Sequence, residues 1–284
     1  MLTAFAPAKI NLFLHVLSRR ADGYHTLESL VTFADVGDTL TLDPSKPLSL
    51  MLSGPFAAGC SNDEHNLVLK AARNLSMHVA GLKTGAFTLE KNLPVGAGIG
   101  GGSADAAAAL RLLSELNGLE LNDARVKQAA LNTGADVPVC LTSQTALMRG
   151  IGEEIEQASF PALHAVLVNG GKALATRDVF EALTLQQKEK KDFSSLLRDF
   201  PNAISWLSSM SNDLEKPAEY LCPQVSTVRQ ALEKSGAQLI RMTGSGATVF
   251  GLYENTVQAQ QAATQLRKEN PRWWIKDVTL GSKL

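Results

Sequence analysis

Residues 93–113 read LPVGAGIGGGSADAAAALRLL, a crowd of glycines that runs directly into alanine and leucine. Glycine is costly to order and packs nothing, so such a run marks backbone that must turn tightly or approach something bulky. The Ala/Leu stretch predicts a helix with Ser103 or Asp105 near its start. A helix start offers unpaired N–H groups and the positive end of a dipole, which suits an anion such as phosphate. Two familiar phosphate loops do not fit. No lysine precedes Ser103, as a Walker loop requires. Gly96, Gly98 and Gly101 spell G-x-G-x-x-G, but the next segment, NGLELNDARVKQAALNTG, reads as a second helix, and Pro94 interrupts the join to the preceding strand. Backbone amides are left to hold the anion, and a cation and a base must come from elsewhere.

Lys9 and Asn11 alternate with Ile10, Leu12 and Leu14 in KINLFLHVL, and so share one face of a strand with Phe13 and His15. Asp136 lies in NTGADVPVCL, where Pro138 biases Val137 toward extended backbone and so helps fix a short turn before a strand. Taken singly, Lys9 reads as an edge lysine and Asp136 as a turn aspartate. Tyr24 and His25 follow the Asp22-Gly23 turn. An aromatic face can stack on a base and an imidazole can read its polar edge, although a cross-strand pair beside a turn is the plainer reading. Thr243–Ala247, TGSGA, is a second glycine loop, either an ordinary hairpin turn or a small nest of N–H groups facing a phosphate.

The elements that must position these residues are legible in outline. KINLFLHVL and the stretch after Asp22-Gly23 predict two strands, and LSLML and AFTLEKNL two more. Between the latter two, NLVLKAARNLSMHVAG has helical spacing and stops at Gly81; NDARVKQAALNTG is a helix that Asn122 or Asp123 could cap. ADVPVCLTSQTALMRGIGEEIEQ reads as mostly extended. From HAVLVNG onward, helices such as TRDVFEAL, VSTVRQALEKSG and TVQAQQAATQLRKE alternate with strands, which predicts a two-layer α+β sandwich. A domain boundary is expected near Phe160–Leu163, giving domains 1–160 and 161–284. The charge run QQKEKKDF reads as a solvated loop or helix face.

Composition narrows the function classes. With 27 Lys+Arg against 28 Asp+Glu, the net charge of −1 argues against a nucleic-acid or membrane-surface binder. No apolar run approaches the ~20 residues of a membrane span, and the N-terminus lacks the layout of a signal peptide. Cys60, Cys140 and Cys222 are odd in number and widely spaced, as suits reduced thiols in a cytoplasm, and the five histidines show no zinc-ligand spacing.

PAKINLFLHV, PVGAGIGGGSADAA and MTGSGATVFGLY together resemble, in order, the three motifs of the GHMP kinases, the galactokinase–homoserine kinase–mevalonate kinase superfamily. The resemblance implies an α+β GHMP kinase fold of two domains, an N-terminal mixed sheet with helices and a C-terminal α/β sandwich. It implies ATP and Mg2+ as cofactors and a small-molecule alcohol as acceptor. RRADGYHTLESL and GADVPVCL narrow the likeness to members that phosphorylate the 2-hydroxyl of a cytidine diphosphate-linked methylerythritol, with homoserine- or mevalonate-type kinases as the alternative. By the same resemblance Lys9 and Asp136 are the catalytic pair. The ATP loop runs from Pro94 and Val95 through Gly96, Ala97, Gly98, Ile99, Gly100, Gly101 and Gly102 to Ser103 and Ala104. Asn66 and Lys91 lie near the nucleoside. Tyr24, His25 and Phe180 hold the cytosine, Asn11 sits beside the acceptor, and Thr243 adds a hydroxyl contact. The superfamily commonly has Leu-x-Ser-Ser before the helix. Here Ile99-Gly100-Gly101-Gly102-Ser103 leaves Ser103 as the loop hydroxyl for a magnesium or phosphate contact. A cytoplasmic monomer or weak homodimer is expected.

Overall fold

The structure is a computed structural model that describes residues 1–185, 193 and 203–282. The charge run 186–193 lies outside the described residues, apart from Phe193. The chain forms two compact units. The first comprises Met1–Ala8, Val36–Val95 and Gly100–Ser143; the second comprises Lys9–Asp35, Gly96–Ile99 and Gln144–Leu284. The expected boundary at 160/161 lies within the second of these units. The long strands β1 (Leu2–Arg19) and β2 (His25–Asp43) each contribute to both units.

In the first unit, the end of β2 pairs antiparallel with β4 (Ala86–Glu90), and β4 pairs in parallel with β3 (Ser49–Ser53). Leu40, Leu42, Phe87 and Leu89 alternate with more polar neighbours and are buried, the period of two expected of a sheet with one covered face. Helices α1 (Leu67–His78), α2 (Gly101–Asn117), α3 (Ala124–Thr133) and α4 (Val137–Thr142) pack on one another. Buried Ala104 and Ala106–Ala109 let α2 approach its neighbours closely. Asp123 caps α3, its side chain accepting from the Arg125 N–H.

The extended reading of ADVPVCL is corrected. Val137–Thr142 is helical, with Asp136 at its N-cap and Pro138 in its first turn. Proline is tolerated there because the first helical amides have no intrahelical partner. A short apolar run fits a buried strand and a buried helix equally well by pattern.

In the second unit, β1 and β2 form a hairpin whose turn is closed by the Arg20 N–H donating to Tyr24 O at 2.8 Å. β5 (Ala146–Gly150) pairs with β2 and with β6 (Glu154–Gln157). β10 (Trp274–Leu280) meets β2 at Leu280–Ala34 and runs antiparallel to β7 (Leu163–Asn169). β9 (Thr248–Tyr253) and β8 (Leu239–Met242) complete the sheet. Helices α8 (Gln224–Lys234) and α9 (Thr256–Glu269) cover it, as the alternating pattern predicts. Val166, Val168 and Val249 of the sheet share one core with Val228, Leu232 and Leu266 of these helices. Three short helices complete this unit: α5 (Thr176–Glu181), α6 (Ala203–Ser208) and α7 (Glu215–Leu221). The last two were not legible in the sequence, being under two turns long. Among the described residues no helix is long and apolar enough to cross a membrane.

Candidate functional site

The glycine-rich stretch becomes a loop that ends in an uncapped helix. Gly100 is the residue before α2 and adopts the left-handed conformation, φ +63° and ψ +17°. That choice is open to glycine at little cost and costs other residues about 1–2 kcal/mol. No side chain caps the helix, so neither Ser103 nor Asp105 acts as a cap. The first amides of α2 are therefore presented without an intrahelical acceptor, and Gly102 at this end is exposed. Such an end binds anions. Ser103 is half-buried on the same first turn.

Lys91 and Asn66 both belong to the first unit, and both are engaged in holding it together. Lys91 is 2% exposed, and its Nζ lies 2.5 Å from Asp38 Oδ2 and 2.6 Å from Asp105 Oδ2. Its own N–H donates to Ser53 O at 2.8 Å, and its carbonyl accepts from Phe56 N–H at 3.1 Å. Both the side chain and the main chain of Lys91, expected near a nucleoside, have hydrogen-bond partners inside the protein. Burial pushes the Asp105 carboxyl up to about 7, against the pull of Lys91. Burial also disfavours the Lys91 ammonium, but the two carboxylates outweigh it and raise its pKa. Asn66 caps α1: its Oδ1 accepts from Val68 N–H at 2.9 Å and its Nδ2 donates to Ser61 O at 2.7 Å. One amide hydrogen is left over for a ligand. Asp136, half-buried, precedes α4 with φ −87° and ψ −9°, and its carboxylate does not cap that helix.

In the second unit, β1 carries Lys9 and Asn11, both buried. The Lys9 N–H donates to Ile99 O at 2.9 Å, and the Asn11 N–H donates to the Thr243 hydroxyl at 2.9 Å. Ser29 gives its hydroxyl proton to Phe13 O at 2.5 Å and so must accept from Asn11, whose Nδ2 lies 2.8 Å away. This fixes the orientation of the amide. It leaves Asn11 Oδ1 buried and without a hydrogen-bond partner among the described residues. A buried acceptor without a protein partner is unusual.

The second glycine loop packs against the first. A Cβ on Gly98, which has φ +73°, would lie 2.6 Å from Gly246 O and 2.7 Å from Thr243 O. The Thr248 N–H donates to Ala97 O at 3.2 Å. The Thr243 side chain is wholly buried; its hydroxyl accepts from Asn11 and points at Gly98 O, 3.4 Å away. The Thr243 hydroxyl, expected to contact a ligand, ties β1 to this loop in this structure. The Gly246 N–H donates to Thr243 O at 3.1 Å and so serves the hairpin itself rather than an anion.

His25 stacks on Phe180, with ring centroids 4.8 Å apart and planes 26° from parallel. The sequence brought these two residues together only through the resemblance; here they touch. Burial, with Arg19 nearby, lowers the His25 pKa. The neutral ring offers one donor and one acceptor, the pair needed to read a base edge. Tyr24 is 59% exposed beside them in sequence, its N–H tied to Asp22 Oδ1 at 3.1 Å. Among the described residues no group of three or more His, Cys, Asp or Glu side chains is arranged to hold a metal.

Comparison with known proteins agrees with the motifs. The family described as GHMP kinases N terminal domain matches residues 66–144, and GHMP kinases C terminal matches residues 192–272. The 4-diphosphocytidyl-2-C-methyl-D-erythritol kinase of Bradyrhizobium sp. strain BTAi1 is 49% identical over 96% of this chain and 94% of its own length. A crystal structure of 4-(cytidine 5'-diphospho)-2C-methyl-D-erythritol kinase matches with a TM-score of 0.80 at 33% identity, covering 99% of this chain and 100% of the other. The homoserine kinase of Cytophaga hutchinsonii shares the fold, with a TM-score of 0.71 at 21% identity over 98% of this chain and 93% of its own. The chain belongs to the GHMP kinase family.

Proposed function

We propose that the protein transfers the γ-phosphate of ATP to the 2-hydroxyl of 4-diphosphocytidyl-2-C-methyl-D-erythritol. The observation that carries this reading is the uncapped start of α2 behind the left-handed Gly100, an amide-lined end suited to a polyphosphate. The acceptor is supported by the name of the relative that is 49% identical along nearly the whole chain, and by the stacked His25–Phe180 pair, which suits a pyrimidine.

Phosphoryl transfer asks little covalent chemistry of a protein; positioning and charge stabilisation do most of the work. The Gly96–Ser103 amides hold the phosphates. The Lys9 ammonium offsets charge on the moving group, and Asp136 takes the proton of the acceptor hydroxyl. Asn11 Oδ1, which has no protein partner among the described residues, accepts a hydrogen bond from an acceptor hydroxyl. Asn66 contributes its spare amide hydrogen near the nucleoside. Magnesium favours oxygen ligands and keeps company with phosphates, so the Ser103 hydroxyl would hold it together with ATP oxygens, where it would neutralise developing charge. The reaction takes place in the cytoplasm on a small-molecule acceptor, in a monomer or weak homodimer.

The test is a kinase assay with ATP, magnesium and four acceptors: the cytidine diphosphate-linked methylerythritol, methylerythritol without the handle, homoserine and mevalonate. Turnover is expected with the first alone. Equal turnover of homoserine or mevalonate would replace the proposed acceptor with the alternative type.

A further inference from the structure

Lys91 and Asp105 flank the glycine-rich loop in sequence, Lys91 just after the end of β4 and Asp105 in the second turn of α2. Their side chains meet, with Nζ 2.6 Å from Oδ2, and Asp38 of β2 joins them at 2.5 Å. Asp38 does more than balance charge. Its Oδ1 accepts from the Asn92 N–H at 2.5 Å and the Leu93 N–H at 2.8 Å, the two residues that lead into the loop. A Cβ on Gly101, the first residue of α2, would lie 3.2 Å from Lys91 Nζ, so the helix start rests on the ammonium.

Two carboxylates and one ammonium, each at most 4% exposed, are a poor way to gain stability. Apolar side chains of similar size usually do as well or better, because ions lose their hydration on burial. What an ion cluster supplies instead is directional, geometrically exacting contact. Here that contact joins the entry of the loop to its exit. We propose that Lys91, Asp38 and Asp105 are positioning residues: a buried ionic tether that closes the base of the glycine-rich loop and holds its amides in the arrangement that receives ATP phosphates. The tether acts through the loop and touches no ligand. A Cβ on Gly101 would also lie 3.7 Å from Asp38 Oδ2, so Lys91 offsets the carboxylate charge that sits beside the helix start. This inference rests on the kinase reading above.

The experiment compares the parent with Lys91→Met, Lys91→Met/Asp105→Asn and Asp105→Asn. Two quantities are measured: amide hydrogen exchange at residues 94–104 in nucleotide-free protein, and the Kd for magnesium–ATP alongside the KM of the acceptor. Lys91→Met is expected to speed exchange in the loop and to weaken ATP binding by about tenfold or more, with the acceptor KM within about twofold. The double variant removes one of the two carboxylates that Lys91→Met leaves without a cation and so recovers part of the thermal stability, but not ATP affinity. That split separates positioning from general stability. If Lys91→Met does not fold, the near-isosteric Asp105→Asn decides, with faster exchange at 101–104 expected. Loop exchange and ATP affinity equal to those of the parent in the folded variants would overturn the proposal. A parent that binds no ATP would instead overturn the kinase reading, while the exchange data would still judge the tether.

Discussion

Asp136 and Lys9 differ in how their main chains are held. Lys9 is fixed by a strand and by its bond to Ile99, whereas Asp136 ends a short turn whose geometry is set by the helix behind it. Asp136 is half-buried, and asparagine keeps the size of its side chain. Asp136→Asn is expected to lower kcat by ~10²–10⁴ while the KM values stay nearly unchanged. Steady-state kinetics check this, and a loss confined to KM would make Asp136 a binding residue. At His25 and Phe180 the opposite split is expected. Phe180→Ala removes the stacking partner and should raise the acceptor KM about tenfold, in line with ~1–1.5 kcal/mol for an aromatic pair, with the KM of ATP unchanged.

Asp105 gives a pH signature. Its folded pKa, about 7, lies above the ordinary carboxylate value because burial disfavours the charge. Between about pH 4 and 7 the folded state binds a proton that the unfolded state has released, so this group's contribution falls as pH rises. The groups around it are Lys91, Asp38 and Cys60, whose thiol burial pushes up. Asp105→Asn has no such proton to lose. Its Tm relative to the parent should therefore increase between about pH 5 and pH 8, as read by thermal melts; a constant difference would contradict the shift.

At the scale of elements, two glycines of the first loop allow a controlled comparison. Gly96 has φ +64° and open space where a Cβ would stand, whereas Gly98 has φ +73° and backbone of Thr243 and Gly246 within 2.7 Å of that position. Gly96→Ala should cost about 1–2 kcal/mol, the left-handed penalty alone. Gly98→Ala must also push two backbone segments apart and should cost more, with kcat/KM falling with it. Paired melts and kinetics test this, and equal costs would mean that the loops do not pack as described.

Much of this scale was legible in the sequence. The hairpin of β1 and β2, the helix after the glycines, and the alternation of the C-terminal half all follow from period and turn chemistry. What sequence hid was commitment to distant partners. Nothing local says that Lys91 faces Asp38 and Asp105 or that the Thr243 hydroxyl serves Asn11. Most of these bonds join positions far apart in the chain, and only the fold makes them neighbours. Val137–Thr142 was misread for a different reason: six residues are too few to show a period.

At the scale of the molecule, the compact units do not follow chain order. Lys9–Asp35 belongs with Gln144–Leu284, and β2 pairs with β10 at its Ala34. A fragment ending at residue 160 would keep that part of β1 and β2 but lose β7 to β10 and the helices that cover them. Fragment 1–160 alone is expected to unfold without a cooperative transition, while the full chain melts cooperatively; circular dichroism melts check this. The boundary read from sequence marks a change in pattern at Phe160–Leu163, whereas compactness depends on which segments return to the same sheet.

The burial of the Asn11 side-chain oxygen has a consequence for selectivity. Protein atoms shield it from bulk solvent, so in the proposed complex an acceptor hydroxyl bonded to it would face little competition from outside. An analogue carrying hydrogen or a methyl ether in place of the hydroxyl would leave the oxygen stranded, and discrimination against it should far exceed that of a wet surface contact.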